Sequence, residues 1–313
     1  MWPLASRRSR VTTENSDLDL AEVSSLIREW FAEHGRDLPW RREGFGAWGI
    51  LVSEIMLQQT PVARVIPRLE LWLDRWPTPA ALAADSPGDA VRAWERLGYP
   101  RRALNLHAAA TVITQNHDGV VPEDVPSLLA LPGIGDYTAR AVATFAYGHR
   151  HPVVDTNVRR VLARAIVGQA EAGPPSTRRD LAAMEQLLPE DRDAAHATNA
   201  AVMELGAIVC TAKRPLCDEC PVRQLCQWRA AGYPPYVGKR QATQKRYEGS
   251  DRQVRGLILA ELRASDVPVT SEEIDQVWPA RDQLDRAIAG LLADGLIVRV
   301  GADYELPSSS LLS

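Results

Sequence analysis

Apolar residues recur three and four positions apart from about Leu20 to Gly168, in short runs broken at Gly35, Pro39, Pro61, Pro77, Pro79, Gly98, Pro100, Pro122, Pro126, Pro132, Gly133, Gly135 and Pro152. That period belongs to amphipathic helices. Proline and glycine end them because proline has no backbone N–H and glycine gives up the most chain entropy. Many short helices with tight corners are predicted. A polar, Pro-containing stretch from Ala172 to Asp180 interrupts the pattern, which returns through Met203 and Leu205 to Cys210. After Trp228, the run Gly232-Tyr233-Pro234-Pro235-Tyr236-Val237-Gly238 and a basic polar segment to Ser250 read as a linker. Helices are then predicted over Asp251–Ala264, from Thr270, and over Ala280–Ala293, before the strand-like alternation Leu296-Ile297-Val298-Arg299-Val300. Three helices and a small ribbon predict a winged-helix-like module. The chain is therefore expected to be all-α, with a disordered terminus (1–17), a main helical domain (18–228), a basic linker (229–250) and the winged-helix-like domain (251–313).

Composition narrows the class. With 45% hydrophobic and 24% charged residues, the chain has the usage of a globular protein. It holds no apolar run of 18 residues, and its first residues lack the apolar core of a signal peptide. No membrane partner and a cytoplasmic home are expected. The formal charge of −4 argues against a simple basic nucleic-acid binder, but it is unevenly spread. Residues 251–313 carry 11 acids against 6 bases, whereas residues 201–250 carry 8 bases against 4 acids. The basic segment reads either as a phosphate-facing patch or as a solvated linker. The helix after Ala280 mixes Arg281 and Arg286 with Asp282 and Asp285, which favours packing on protein over reading DNA.

All four cysteines fall within 17 residues, as Cys210, Cys217, Cys220 and Cys226. Thiolates crowded in one loop repel unless a cation neutralises them, and a disulfide is disfavoured in a reducing cytosol. Structural zinc usually takes two short-spaced pairs, and here only Cys217 and Cys220 form one. The other spacings suit a cubane iron-sulfur cluster, with zinc the rival. Lys213 and Arg214, between the first two ligands, would then face a phosphate backbone.

Leu131-Pro132-Gly133-Ile134-Gly135 lies between two helical runs. Backbone N–H groups at such a turn can hold a phosphate without reading sequence, although an ordinary corner has the same composition. Farther on, Val153-Val154-Asp155 enters the helical run Thr156-Asn157-Val158-Arg159-Arg160, where Asp155 reads as an N-cap. A capping carboxylate is expected to stay ionised, the state needed to steady positive charge. Glu54 is the one formal charge between Glu43 and Arg64, with Ile50, Leu51 and Leu57 at helical offsets. Desolvation is expected to raise its pKa and keep its proton near neutrality. Alone, such an acid is more often an interface residue or half of a buried pair than a catalyst.

The hairpin followed by an aspartate, and the six-two-five cysteine spacing, resemble the helix-hairpin-helix glycosylases of the endonuclease III superfamily. Ser53-Glu54-Ile55-Met56-Leu57-Gln58-Gln59-Thr60 resembles the active-site helix of the MutY-type adenine glycosylases, and the likeness spans about residues 25–228. The resemblance implies a helix-hairpin-helix glycosylase fold with a [4Fe-4S] cluster on Cys210, Cys217, Cys220 and Cys226. It implies a monomer that hydrolyses adenine from A:8-oxoguanine or A:G mispairs in double-stranded DNA. Glu54 would protonate the base, and Asp155 would stabilise an oxocarbenium-like sugar. Tyr137 stands where the endonuclease III branch has a sugar-attacking lysine, which implies no Schiff-base strand cleavage. Asn157 is a second MutY-like position. Gln58, Gln59, Leu97 and Tyr99 are implied DNA contacts, with Gln59 and Tyr99 wedging the duplex open around a flipped base. Gly133 and Gly135 would grip the backbone. Trp40 and Arg41 would line the base pocket, although Trp40 also fits a plain core aromatic.

This chain departs from the family pattern in three places. Pro100 follows Tyr99 where the family usually has Tyr, and Thr156 follows Asp155 where Gly is common. The C-terminal segment reads as a winged helix where many MutY-type enzymes carry a Nudix-like domain that recognises 8-oxoguanine. Two other activities fit the same motifs: a thymine- or uracil-mismatch glycosylase, and a non-catalytic iron-sulfur DNA-binding regulator.

Overall fold

The computed structural model describes residues 18–239 and 246–308. The expected disorder at 1–17 and the centre of the linker, 240–245, fall outside the described residues. Helix α1 (Leu20–His34) is capped by Asp19, whose side chain accepts from the N–H groups of Ala21 and Glu22. A 3₁₀ turn over Pro39–Arg41 leads to α2 (Ala47–Leu57), α3 (Val62–Arg75), α4 (Pro79–Ala84), α5 (Pro87–Trp94), α6 (Arg101–Asn116), α7 (Val125–Leu129) and α8 (Asp136–Tyr147). Pro79 and Pro87 open α4 and α5 behind the caps Thr78 and Ser86, where a missing N–H costs nothing. Next come α9 (Thr156–Val161), which continues as π-helical turns over Leu162–Val167, then α10 (Thr177–Leu187), α11 (Arg192–Ile208) and α12 (Gln227–Ala230). A π segment is rare, and such segments are found disproportionately beside functional sites.

These helices pack as two lobes. Trp72, Trp76 and Trp94 are fully buried in the lobe built on α2–α8, with edge-on ring contacts at 4.5 and 5.6 Å. In the other, Ile27 of α1, Val158 of α9, Met184 of α10 and Leu205 of α11 close over Val222 of the cysteine loop. Each large apolar side chain so buried contributes roughly 1.5–3 kcal/mol, which keeps both walls of the intervening cleft stiff.

The C-terminal unit comprises α13 (Asp251–Ala264), α14 (Ser271–Asp275), α15 (Arg281–Ala293) and an antiparallel ribbon of β1 (Val298–Val300) and β2 (Asp303–Glu305). Val298 pairs with Glu305 and Val300 with Asp303, while Tyr304 also bridges to Val269. This is the winged-helix-like order of elements. Charges along α15 are met inside the unit: Arg281 pairs with Asp275 and Asp285, and Arg286 with Asp251. The unit does not stand apart. Val254, Ile258, Leu284 and Leu291 join the same buried cluster as α2–α8. Gly88 N–H donates to Pro307 O at 2.7 Å, Arg92 donates to Ser265 O at 3.0 Å, and Arg101 pairs with Asp294 at 3.2 Å. Among the described residues no helix is long and apolar enough to cross a membrane.

Candidate active site

Helix α2 is buried on nearly every face, from Trp48 through Met56. Glu54 sits in it at 6% exposure. Burial pushes its carboxyl up to about 7; the Tyr137 phenol, bonded to it, pulls the value back somewhat, and the charge of Asp155 raises it again. Tyr137 enters from the first turn of α8, directly after the hairpin. Its hydroxyl is driven well above the usual phenol range by burial and by the two neighbouring carboxyls, so it keeps its proton and serves Glu54 as a donor.

Asp155 caps α9 as expected: one oxygen accepts from Val158 N–H at 2.7 Å and the other from Asn157 Nδ2 at 2.7 Å. Its pKa departs from the expectation that capping alone would govern it. Burial raises it, against the hydrogen bonds from Val158 and Asn157 and the charge of Arg160. Asn157 Oδ1 in turn accepts from Arg160 Nη2 at 2.8 Å, and Arg160 Nε donates to Cys210 O at 2.6 Å. One hydrogen-bonded path thus runs from the Asp155 carboxyl to the first cysteine's backbone.

Glu54 and Asp155 open into one cleft of about 1250 Å³ between the two lobes. Trp40, Arg41, Gln58, Gln59, Gly133, Gly135, Tyr137 and Asn157 line it with them. Gln58 Nε2 donates to Thr138 Oγ1 at 3.3 Å, tying the end of α2 to the hairpin helix. Leu97 and Tyr99 do not line the cleft: Leu97 is buried, and Tyr99 is 41% exposed. The two hairpin glycines differ. Gly133 has φ +73°, and a β-carbon there would meet the Asn105 side chain at 2.5 Å; Gly135 faces open space. Only the first is required by the fold, and the second leaves room for a ligand to approach the backbone.

Sequence reading missed Glu204 and Arg36. Glu204, on α11, is 1% exposed and lines the cleft. Arg36 grips it with Nε at 2.6 Å and Nη2 at 2.8 Å, and Arg41 Nη2 reaches it at 2.9 Å. It is the only formal charge between Asp193 and Lys213, the same signal that marked Glu54. Burial raises its carboxyl, but the hydrogen bonds from Arg36 and Arg41 prevail and hold it at about 2. Glu204→Gln should cost about 2 kcal/mol at pH 7, less than breaking a fully buried pair because both guanidiniums reach water. A carboxyl depressed from 4.5 stabilises fully above that value and loses the effect as pH falls toward 2. The gap in melting temperature between wild type and variant should therefore close in acid; a gap independent of pH would show that packing alone is responsible.

The cysteines surround a second, smaller pocket with Val161, Leu205, Val209, Leu216 and Val222. Burial pushes the Cys220 thiol up to about 12, and Cys210, Cys226 and Cys217 add to the rise. Converging thiolates in an apolar pocket need a cation, and this donor set fits an iron-sulfur cluster, which would be held by Cys210, Cys217, Cys220 and Cys226. Arg164 Nη1 lies 3.5 Å from the Cys210 sulfur, and Lys213 and Arg214 are exposed on the loop.

Residues 52–186 match the model of the HhH-GPD superfamily base excision DNA repair proteins, and residues 210–226 match the iron-sulfur binding domain of endonuclease III. Over 280 residues the chain is 54% identical to the adenine DNA glycosylase of Mycobacterium tuberculosis, covering 89% of this chain and 91% of that one. The chain belongs to the adenine DNA glycosylase family. It carries the iron-sulfur binding domain expected from its cysteines, and a match of this extent reaches into the winged-helix-like unit. The wider superfamily is also visible. A thymine-DNA glycosylase from Aeropyrum pernix is 34% identical over 215 residues, covering 67% of this chain and 96% of its own. The solved structure of a thermostable thymine-DNA glycosylase superposes with a TM-score of 0.62 at 26% identity, covering 68% of this chain and 97% of that one.

Proposed function

We propose that this protein hydrolyses the N-glycosidic bond of adenine mispaired with 8-oxoguanine or guanine in double-stranded DNA, as a monomer and without cutting the strand. The observation that carries the reading is the meeting of Glu54 and Asp155 in one cleft, with Glu54 at about 7 and thus substantially protonated at neutral pH. Glu54 gives its proton to a ring nitrogen of adenine such as N7, which turns the base into a stable leaving group. As the N9–C1′ bond breaks, Asp155 faces the positive charge left on the sugar, held in place by Val158 N–H and Asn157. Water adds to C1′, and its proton returns to the carboxylate pair.

Tyr137 keeps Glu54 oriented and offers no amine to attack the sugar, which supports base removal without lyase chemistry. Gln58, Gln59 and Tyr99 are assigned to the opened duplex, Trp40 and Arg41 to the flipped base, and Gly133 and Gly135 to the DNA backbone; Leu97, implied as a DNA contact, is buried in the lobe of α2–α8 and is assigned to its core instead. Cys210, Cys217, Cys220 and Cys226 would hold an iron-sulfur cluster, which would neutralise their thiolates and stiffen the loop, and Lys213 and Arg214 on that loop are assigned to phosphates. The winged-helix-like unit, in which Arg281 and Arg286 of α15 find their carboxylates within the unit, is assigned a packing role.

Duplexes carrying A:8-oxoguanine, A:G and T:G test the substrate. Adenine release from the first two is expected, with no strand cleavage beyond that of the abasic product. Likeness to thymine-DNA glycosylases keeps T:G in the panel, and release of thymine alone would end the adenine reading.

A further inference from the structure

Two turns beside the cleft place non-glycine residues in the left-handed region, Gln59 at φ 57° and Tyr99 at φ 48°. Such backbone persists only where its surroundings over-determine it. Both turns converge on one side chain, Arg102, in the first turn of α6 and 8% exposed. Its Nη1 donates to the carbonyls of Ile55 at 2.7 Å, Met56 at 3.1 Å and Gln58 at 2.6 Å, carbonyls at the end of α2. Its Nη2 donates to Gly98 O at 2.9 Å, Leu97 O at 3.3 Å and Thr60 Oγ1 at 3.0 Å. The Thr60 hydroxyl closes the ring by donating to Leu97 O at 3.0 Å. The guanidinium also lies 5.7 Å from the centre of the Tyr99 ring and 5.1 Å from that of Trp94. One arm of the fork holds the turn that carries Gln59, and the other holds the turn that carries Tyr99.

We infer that Arg102 is a positioning residue that couples Gln59 and Tyr99, so that the two wedges enter the duplex as one unit. This rests on the reading of Gln59 and Tyr99 as wedges. A fork suits this role because its two nitrogens stand apart in a fixed plane, whereas a lysine ammonium has three donors on one atom and cannot hold all the acceptors of both turns at once. Neither turn can shift without straining the bonds that Arg102 and Thr60 make to the other.

Single-turnover adenine release from an A:8-oxoguanine duplex, and the fluorescence of 2-aminopurine beside the mispair as a reporter of unstacking, test the coupling. The set is wild type, Gln59→Ala, Tyr99→Ala, Arg102→Lys, and Arg102→Lys combined with each alanine, every protein checked for melting temperature. Arg102→Lys is expected to slow release and unstacking together by about tenfold or more, and either alanine added to it to slow them by less than about twofold further. A purely structural arginine would give effects that multiply, and multiplication overturns the inference while leaving the wedges standing. If both single alanine variants open and cleave at the wild-type rate, the wedge reading fails and the coupling falls with it. Should Arg102→Lys fail to fold, Thr60→Val removes the bridging hydroxyl alone; the same non-additivity, of smaller size, is expected, and multiplicative effects again overturn the inference.

Discussion

Glu54→Gln should reduce adenine release by about 10³-fold or more while leaving duplex affinity unchanged and making the protein more stable above pH 7. The two effects share a cause. A carboxyl lifted from 4.5 to about 7 is a usable acid at neutrality because the fold resists its ionisation, and that resistance weakens the fold once the proton leaves. Between those pH values the native state binds the proton better than the unfolded chain does. Stability therefore declines as pH rises through that window and levels off above 7. At about 1.4 kcal/mol per pH unit, the decline attributable to this group comes to about 3 kcal/mol. Glutamine keeps the shape and never ionises, so the variant should melt several degrees higher than wild type at pH 8 and about level with it at pH 5. In the wild type, base release should rise as pH falls through about 7, since the protonated form is the working one. Retained turnover in Glu54→Gln, or melting curves that coincide at every pH, would remove the acid from the scheme.

Asp155→Asn separates the two duties of that residue. Asparagine ranks with aspartate as a helix cap, so the bond to Val158 N–H survives, whereas its NH2 cannot accept from Asn157 Nδ2 and that bond is lost; melting should fall by a few degrees at most. What disappears is the negative charge facing the sugar, and base release should fall by about 10²–10³-fold, the usual cost of losing one preorganised electrostatic partner. Asp155→Ala should lose the activity and about 1 kcal/mol of stability as well. Near-normal release by Asp155→Asn, measured under single turnover, would reduce the residue to a cap.

Sequence patterns revealed the parts whose physics is local. The desolvation of Glu54 is visible because the apolar residues flanking it lie in its own helix, and the N-cap at Asp155 is a matter of a few adjacent residues. The helices of the C-terminal unit follow from their period, and the structure adds a capping box of Thr270 and Glu273 at the start of α14. Residues that act across long separations stayed hidden. Arg102 is one of 36 basic residues in the chain, and nothing near it in sequence says that carbonyls from 55 to 58 and from 97 to 98 will surround it. Glu204 carried a readable signal, an isolated acid in an apolar run, yet its partners Arg36 and Arg41 lie more than 160 residues away. The mixed charges after Ala280 favour packing on protein, but the surface that receives the C-terminal unit stays hidden, because an amphipathic pattern says that a helix has a face to bury and not what it is buried against.

That last point bears on how the molecule can be taken apart. A β-carbon at Gly88 would meet Pro307 O at 2.6 Å and Leu306 Cβ at 3.0 Å, and the end of α13 is clasped by Arg92. The tail is therefore no interchangeable cassette. Exchanging it for a foreign one would strip Arg92, Arg101 and the Gly88 N–H of their partners Ser265 O, Asp294 and Pro307 O, so the two pieces have to diverge in step, each inheriting the changes the other can fit.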